Sequence, residues 1–162
     1  YKVRYAQLDG SGEHSVFLQK DETYNYVFLS LETHAAVAVE PPKTDWDLVF
    51  TYYSYRFPDD IPYLVTGVLS NRYQVLSAEA DSVFTFESFA LEDTASLALS
   101  DHIDEIGYDW KTYLFDPPGY VVYAQRLFVV RDTEGYYYKL RFTGFYNDAG
   151  EKGYPAFEYV RL

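Results

Sequence analysis

The chain has 162 residues, of which 48% are hydrophobic and 20% aromatic, and this size and composition suit a single folded domain over residues 1–162. Its net charge of -12 would repel nucleic acid, since no cluster of Lys and Arg opposes it. The absence of Cys excludes disulfides and thiolate metal sites, and no apolar run reaches the roughly 20 residues of a membrane-spanning helix.

Short runs rich in β-branched and aromatic residues, separated by turn residues, occupy the first half of the chain. Such runs are typical of strands, and the 19 Tyr and 12 Phe residues favour half-buried, pleated surfaces. The predicted strands are residues 14–19, 25–31, 35–40, 47–57, 63–68, 72–76 and 82–87.

The hydrophobic period changes over residues 93–106. Leu97, Leu99, Ile103 and Ile106 approach helical spacing, and Gly107 stands where a helix commonly ends in a left-handed residue. This pattern predicts one short helix near 93–106.

Strand signals resume after the predicted helix and continue to the end of the chain. Turns are predicted at 116–119, 132–135 and 147–150, where Gly, Pro, Asn and Asp concentrate. The strands between them are predicted at 110–115, 120–123, 126–131, 136–146 and 156–161. The fold class is therefore mainly β, with antiparallel sheets, a hairpin meander and one short helix.

Signals for catalysis are sparse. The three histidines, His14, His34 and His102, have no helical i, i+4 spacing for a metal, and no G-x-S-x-G turn presents a nucleophilic serine. A hydrolase needs two facing carboxylates, and four candidates lie in turns or at strand starts: Asp45, Asp47, Asp59 and Asp60. We therefore predict a protein that is not an enzyme, and keep a hydrolase as a third reading.

One loop combines stiffness with aromatic side chains. Two consecutive prolines stiffen residues 116–119, and Tyr113, Phe115 and Tyr120 flank them. Aromatic rings stack on flat or apolar molecules, so these three side chains, with Tyr73 as a weaker fourth, are the predicted ligand-binding residues. The alternative is an ordinary hairpin whose rings belong to the core.

Two parts of the sequence contain motifs in a recognisable order. The first is KTDWDLVF at residues 43–50. The second runs from Trp110 through RLFVVR at 126–131 and YKLRF at 138–142 to KGY at 152–154. In their order and spacing, these elements resemble the HmuY family of haem-binding lipoproteins over most of the chain.

The resemblance implies a function as well as a fold. Family members are exported, lipid-anchored or released at the cell surface or outer membrane, and hold haem between two β hairpins for an outer-membrane receptor. The chain starts at Tyr1 without a signal-like segment, so we expect a signal or anchor sequence to have preceded it. We expect the protein to associate with a membrane only through that lost lipid anchor.

The family's axial iron ligands, which are His or Met, are not found at the corresponding positions. Residues 63–89 and 111–120 contain neither residue type, and the whole chain has no Met. Two replacements remain: a phenolate from Tyr113, Tyr120 or Tyr73, or the imidazole of His102 if the predicted helix borders the cleft. The sequence thus predicts a haemophore-like surface lipoprotein that captures haem or a related flat, amphipathic molecule. The alternative is a carbohydrate- or protein-binding surface module without a haem site.

Overall fold

The computed structural model describes all residues from Tyr1 to Leu162, and the chain divides into two compact units, residues 1–46 and 47–162. None of its helices is long and apolar enough to cross a membrane. The single-domain prediction for residues 1–162 stays a prediction.

The first unit consists of two small antiparallel sheets. One pairs β1 with β2 and the other pairs β3 with β4. Leu18 is the buried apolar side chain of this unit. The strands are β1 (Lys2–Tyr5), β2 (His14–Phe17), β3 (Phe28–Ser30) and β4 (Ala35–Val37). Of these, β1 was not among the predicted strands.

The second unit carries three antiparallel sheets. Its elements are β5 (Leu48–Arg56), β6 (Pro62–Ser70), β7 (Leu76–Glu79), a 3-10 helix (Leu91–Ser96), β8 (Lys111–Phe115), β9 (Pro118–Val122), β10 (Phe128–Arg131), β11 (Tyr137–Tyr146) and β12 (Lys152–Arg161). The strands β5 and β6 form one hairpin, β8 and β9 form another, and the largest sheet has the order β12-β11-β10-β7. The predicted fold class, mainly β with antiparallel hairpins and one short helix, is confirmed.

The core of the second unit lies on both faces of β10. Because successive side chains of a strand point to opposite faces, Phe128 and Val130 join one apolar cluster and Val129 joins the other. The first cluster includes Trp110, whose ring stacks on Phe142 at a centroid distance of 4.0 Å. Burial on both faces explains why this strand reads as a continuous apolar run.

The helix is shorter than predicted and begins earlier, because residues after 96 find partners elsewhere. Its start is capped by Asp93, whose carboxylate accepts a hydrogen bond of 2.8 Å from the Ala90 backbone N–H. Further on, Ser100 exchanges backbone hydrogen bonds with Ser77, which takes this segment out of any helix. The apolar period over 93–106 therefore does not mark a continuous helix: Leu97 and Leu99 pack against one core cluster and Ile106 belongs to the other.

Two predicted strands are wrong. Residues 72–74 form a turn, in which the Asn71 side chain accepts a hydrogen bond from the Tyr73 backbone and Gln74 has φ +62°. Residues 82–87 also lie in turns, and Asp81 accepts the backbone N–H of Val83. Short polar side chains that bond to the nearby backbone favour turns over strands, and here they outweigh the β propensity of the neighbouring aromatic residues.

Candidate functional site

Three of the four predicted binding residues meet on the hairpin of β8 and β9. Tyr113 and Tyr120 are directly opposite each other in the ladder, and their rings meet edge to face with centroids 5.1 Å apart. The Phe115 ring lies 5.4 Å from that of Tyr113. Phe115 is 87% exposed and Tyr113 is 42% exposed, so the end of the hairpin presents aromatic surface to solvent.

The base of this hairpin is fixed to the core through Tyr120. Its ring packs against Phe145 of β11 at 4.9 Å, and its backbone N–H donates a hydrogen bond of 2.6 Å to the Tyr146 hydroxyl. Tyr120 is therefore held rigidly, whereas Phe115 projects. Tyr73 lies apart from this group, half-buried in the turn that follows β6.

A pocket of about 530 Å³ opens beside Tyr120. This volume lies within the roughly 300–1,000 Å³ of small-molecule sites. Aromatic rings dominate its wall, with a lysine at the edge. The lining residues are Phe50, Thr51, Tyr52, Thr66, Gly67, Trp110, Tyr120, Phe145, Lys152, Gly153 and Pro155.

Trp110 brings an unsatisfied donor to the pocket. The residue is 1% exposed, and its indole Nε1 is buried without a hydrogen-bond partner. A buried N–H that lacks an acceptor costs about 1–3 kcal/mol, and such groups are uncommon in folded proteins. Trp110 thus combines a place in the pocket lining with a buried donor that the protein itself leaves without an acceptor.

Lys111 places a cation next to the same aromatic groups. Its Nζ donates hydrogen bonds to the backbone oxygens of Thr66 at 2.6 Å and Tyr108 at 3.3 Å. It also lies 4.3 Å from the centroid of the Trp110 ring. Burial lowers the pKa of Lys111 to about 8. Lys111 does not line the pocket, but it places a poorly solvated charge directly behind the ring of Trp110, which does.

No histidine lines the pocket. His14 and His34 belong to the first unit, and His102 is exposed on the segment that follows the helix. No group of three or more His, Asp and Glu side chains is placed to hold a metal ion. The lining residues whose side chains carry an oxygen known to bind haem iron are Tyr52 and Tyr120.

One of the four predicted candidate carboxylates is perturbed by its surroundings. Burial, together with the nearby charge of Asp132, raises the pKa of Asp47. The Asp132 carboxylate, however, accepts backbone hydrogen bonds from Glu134 at 2.9 Å and Tyr136 at 2.8 Å. It therefore holds the 132–135 turn, which is a structural role for this side chain.

Sequence reasoning found the hairpin but missed most of the pocket wall. The alternation in β5 places Tyr52 and Phe50 on one face, and this was readable from the period of two. The burial of Trp110, and of Lys111 next to it, could not be read from the sequence, because both side chains are enclosed by strands that are distant in sequence.

Comparison with known proteins identifies a family. A family model described as HmuY protein matches residues 22–159. Curated protein sequences give no match. Among solved structures, a protein of Bacteroides vulgatus described as HmuY-like and heme-binding is 17% identical with a TM-score of 0.43, and the match covers 83% of each chain.

Two further solved structures are similar to the chain. The apo form of an HmuY analogue from Tannerella forsythia is 16% identical with a TM-score of 0.41, over 82% of this chain and 86% of that one. A Bacteroides fragilis protein described as a lipoprotein is 19% identical with a TM-score of 0.41, over 83% and 80% of the two chains.

Proposed function

Because the chain belongs to the HmuY family, we propose that it binds haem, or a related flat and amphipathic molecule, without transforming it chemically. The main support is the aromatic pocket of about 530 Å³ beside Tyr120, with its unpartnered indole N–H. We place the cargo in this pocket, with the rings of the β8–β9 hairpin covering one side of it.

The binding energy would come mainly from apolar burial. Each Å² of apolar surface removed from water contributes roughly 25 cal/mol, from which the cost of association is subtracted. Phe115 and Tyr113 are exposed in the free protein. A flat ring that covers them therefore buries apolar surface that folding has left in contact with water. Binding buries less additional surface at Tyr120, but the fixed position of this ring orients the cargo.

The polar groups of the pocket suit the edges of a porphyrin. Lys152 is exposed at the rim, where it can pair with a carboxylate of the cargo. If the cargo carries iron, the Tyr120 phenol is the ligand we assign to it, because Tyr120 lines the pocket and belongs to the predicted hairpin. Such ligation by Tyr replaces the His or Met ligands, neither of which occurs at the corresponding positions of this sequence.

The proposal also covers location and partner. We propose an exported protein, lipid-anchored or released at the cell surface or outer membrane, which delivers its cargo to an outer-membrane receptor. Exposed rings at the end of a hairpin suit this role, since a receptor can reach the cargo at its open edge.

The test is a titration with haemin and, in parallel, with metal-free protoporphyrin IX. We expect a shifted Soret band with both. Tyr120→Ala should weaken binding of both at least tenfold, a loss of about 1.4 kcal/mol, and Phe115→Ala should weaken it severalfold. Tyr120→Phe should change the haemin spectrum and leave protoporphyrin binding nearly intact, since it removes the phenol oxygen and keeps the ring.

The matched control is Tyr63→Ala, because Tyr63 is 62% exposed on β6 and does not line the pocket. It should leave both titrations unchanged. Binding that is equally sensitive to Tyr63 and Tyr120, or no spectral shift with either porphyrin, would contradict the proposal.

A carbohydrate- or protein-binding module is the second candidate, and a separate groove favours it. This groove of about 430 Å³ contains Phe157 and Tyr159 on the outermost strand β12 and Phe50 on β5. Tyr159 is 63% exposed, a suitable stacking surface for a sugar. Glycan binding that Tyr159→Ala abolishes, without any porphyrin binding, would establish this alternative.

A further inference from the structure

Four aromatic rings form a row in the groove of about 430 Å³, which shares only Phe50 with the pocket beside Tyr120. The centroids of Phe50 and Phe157 are 5.6 Å apart. Tyr159 continues the row at 6.2 Å from Phe157, and Tyr138 ends it at 6.3 Å from Tyr159. Much of this aromatic surface stays open to solvent, since Tyr159 is 63% exposed and Phe157 is 38% exposed.

The groove also contains a carboxylate. Asp47, which directly precedes β5, is among the lining residues. Burial, and then the charges of Asp132 and Glu134, raise the pKa of this carboxyl. A carboxyl with a raised pKa has a poorly compensated negative charge, so a positive group brought next to Asp47 would be favoured there.

The spacing of the rings suits a cation as well. The face of an aromatic ring carries partial negative charge and attracts a cation within about 6 Å of its centroid. A cation above the midpoint of Phe157 and Tyr159 lies within this distance of both centroids. A similar contact exists within the chain, where the Arg161 guanidinium lies 3.6 Å from the centroid of the Tyr136 ring. Arg161 does not line the groove, so it does not occupy the row of rings.

We propose that this groove binds a small organic cation with a quaternary ammonium group, such as choline. Aromatic rings are the usual partners of such groups in proteins. The polar side chains of the lining are Asp47, Tyr138 and Tyr159, and the Tyr138 hydroxyl already bonds to Asp132. The N–H groups of a primary ammonium would find few acceptors here, whereas a methylated nitrogen has none to satisfy. The rings contact the methyl groups, and Asp47 compensates the charge.

The ligand is a free molecule and not a phospholipid headgroup. A phosphocholine headgroup carries a phosphate close to its nitrogen, and the charges of Asp47, Asp132 and Glu134 would repel that phosphate. The same charges disfavour a porphyrin with carboxylate groups, so the groove is a site separate from the proposed cargo pocket. The net charge of -12 further favours the approach of a cation.

The test is a nuclear magnetic resonance titration of the full chain, labelled with nitrogen-15, with choline chloride at constant ionic strength. The backbone signals of Tyr138 and Tyr159 should shift and saturate. Dimethylbutanol, the neutral analogue in which carbon replaces the quaternary nitrogen, has the same shape without the charge and should bind roughly tenfold more weakly. Phosphocholine should also bind more weakly than choline.

Two variants separate the charge from the rings. Asp47→Asn removes the carboxylate, and Tyr159→Leu removes a ring but keeps an apolar side chain; each should weaken choline binding roughly fivefold or more. Asp47→Asn should leave dimethylbutanol binding unchanged. The matched controls are Asp59→Asn, which makes the same change in net charge at an exposed turn, and Tyr154→Leu, which removes a 52% exposed ring of β12 outside the groove. Both controls should bind choline as the unmodified chain does.

Equal affinities for choline and dimethylbutanol, or choline binding that Tyr159→Leu leaves unchanged, would overturn the proposal. Shifts of the Tyr138 and Tyr159 signals with a sugar but not with choline would also overturn it. Circular dichroism of each variant establishes that it is folded before binding is compared. The outcome is separate from the porphyrin titrations, since neither Asp47 nor Tyr159 lines the pocket beside Tyr120 and both variants should keep the porphyrin affinity.

Discussion

Lys111 is a charged residue in an apolar position, and this has a consequence for stability. Its side chain is 7% exposed and lies over the rings of Trp110 and Phe145. The two backbone oxygens that accept hydrogen bonds from its Nζ stabilise the charged form, whereas burial disfavours it and lowers its pKa to about 8 from 10.5. At neutral pH Lys111 is still charged, so burying its charge lowers the free energy of unfolding there.

We predict that the free energy of unfolding rises with pH between about 8 and 10. In this window the unfolded chain keeps the Lys111 proton and the folded chain releases it, so the slope is positive, at most about 1.4 kcal/mol per pH unit. Above about pH 10 the trend reverses, because burial raises the pKa of Tyr53 and Tyr108 in the folded state. Urea unfolding at several pH values measures both slopes.

The comparison variant for this prediction is Lys111→Met, which should be less stable at pH 8 but show no rise between pH 8 and 10. Its lower stability follows from the unpaired oxygens of Thr66 and Tyr108. Lys2→Met, at an exposed site, should keep the rise. A rise of the same size in Lys111→Met would assign it to another group.

At the scale of elements, β6 is held against a distant segment by close backbone contact. Val68 and Gly107 exchange backbone hydrogen bonds of 2.8 and 3.1 Å. The neighbouring Gly67 leaves no space for a side chain, since a Cβ there would lie 2.5 Å from the Gly107 carbonyl oxygen. This contact joins the β5–β6 hairpin to the segment that leads into Trp110.

We predict that Gly67→Ala lowers the free energy of unfolding by about 2–3 kcal/mol, because backbone atoms cannot move aside as a flexible side chain would. The control is Gly144→Ala on β11, whose new Cβ would meet only the Ala156 Cβ at 3.4 Å and should cost less than about 1 kcal/mol. Denaturant unfolding measures both. Equal losses in the two variants would contradict the role of the Gly107 contact.

At the scale of the whole molecule, the buried apolar residues are unevenly divided. Leu18 is the single buried apolar side chain of the first unit, and both core clusters lie within residues 47–162. Hydrophobic burial is the dominant favourable term in folding, so the second unit contains most of what stabilises the chain.

We therefore predict that the fragment 47–162 folds alone, unfolds cooperatively and retains the porphyrin affinity of the full chain. A fragment 58–162, which lacks β5, is the comparison, and it should lose both properties because β6 loses its only partner strand. Calorimetry and the Soret titration measure the two outcomes. A fragment 47–162 that unfolds without a cooperative transition would show that the first unit is required.

Much of the fold follows from the sequence because its signals are local. The turns at 132–135 and 147–150 are fixed by Asp132 and Asn147, whose side chains bind the backbone within four residues. Alternating aromatic residues then specify the strands between such turns, since a period of two needs no distant partner. The exposed pair Tyr113 and Phe115 on the β8–β9 hairpin was predictable for the same reason.

Only the tertiary structure decided which segments do not adopt the secondary structure that their local sequence pattern predicts. Residues 97–106 are apolar at helical spacing, yet the backbone of Ser100 bonds to Ser77, a partner that no short window of sequence contains. The pocket depends on the same kind of distant pairing, since β5, β11 and β12 all contribute to its wall. Hydrogen-bond partners and enclosing side chains come from anywhere in the chain, so burial at Trp110 and Lys111 is a property of the assembled sheets.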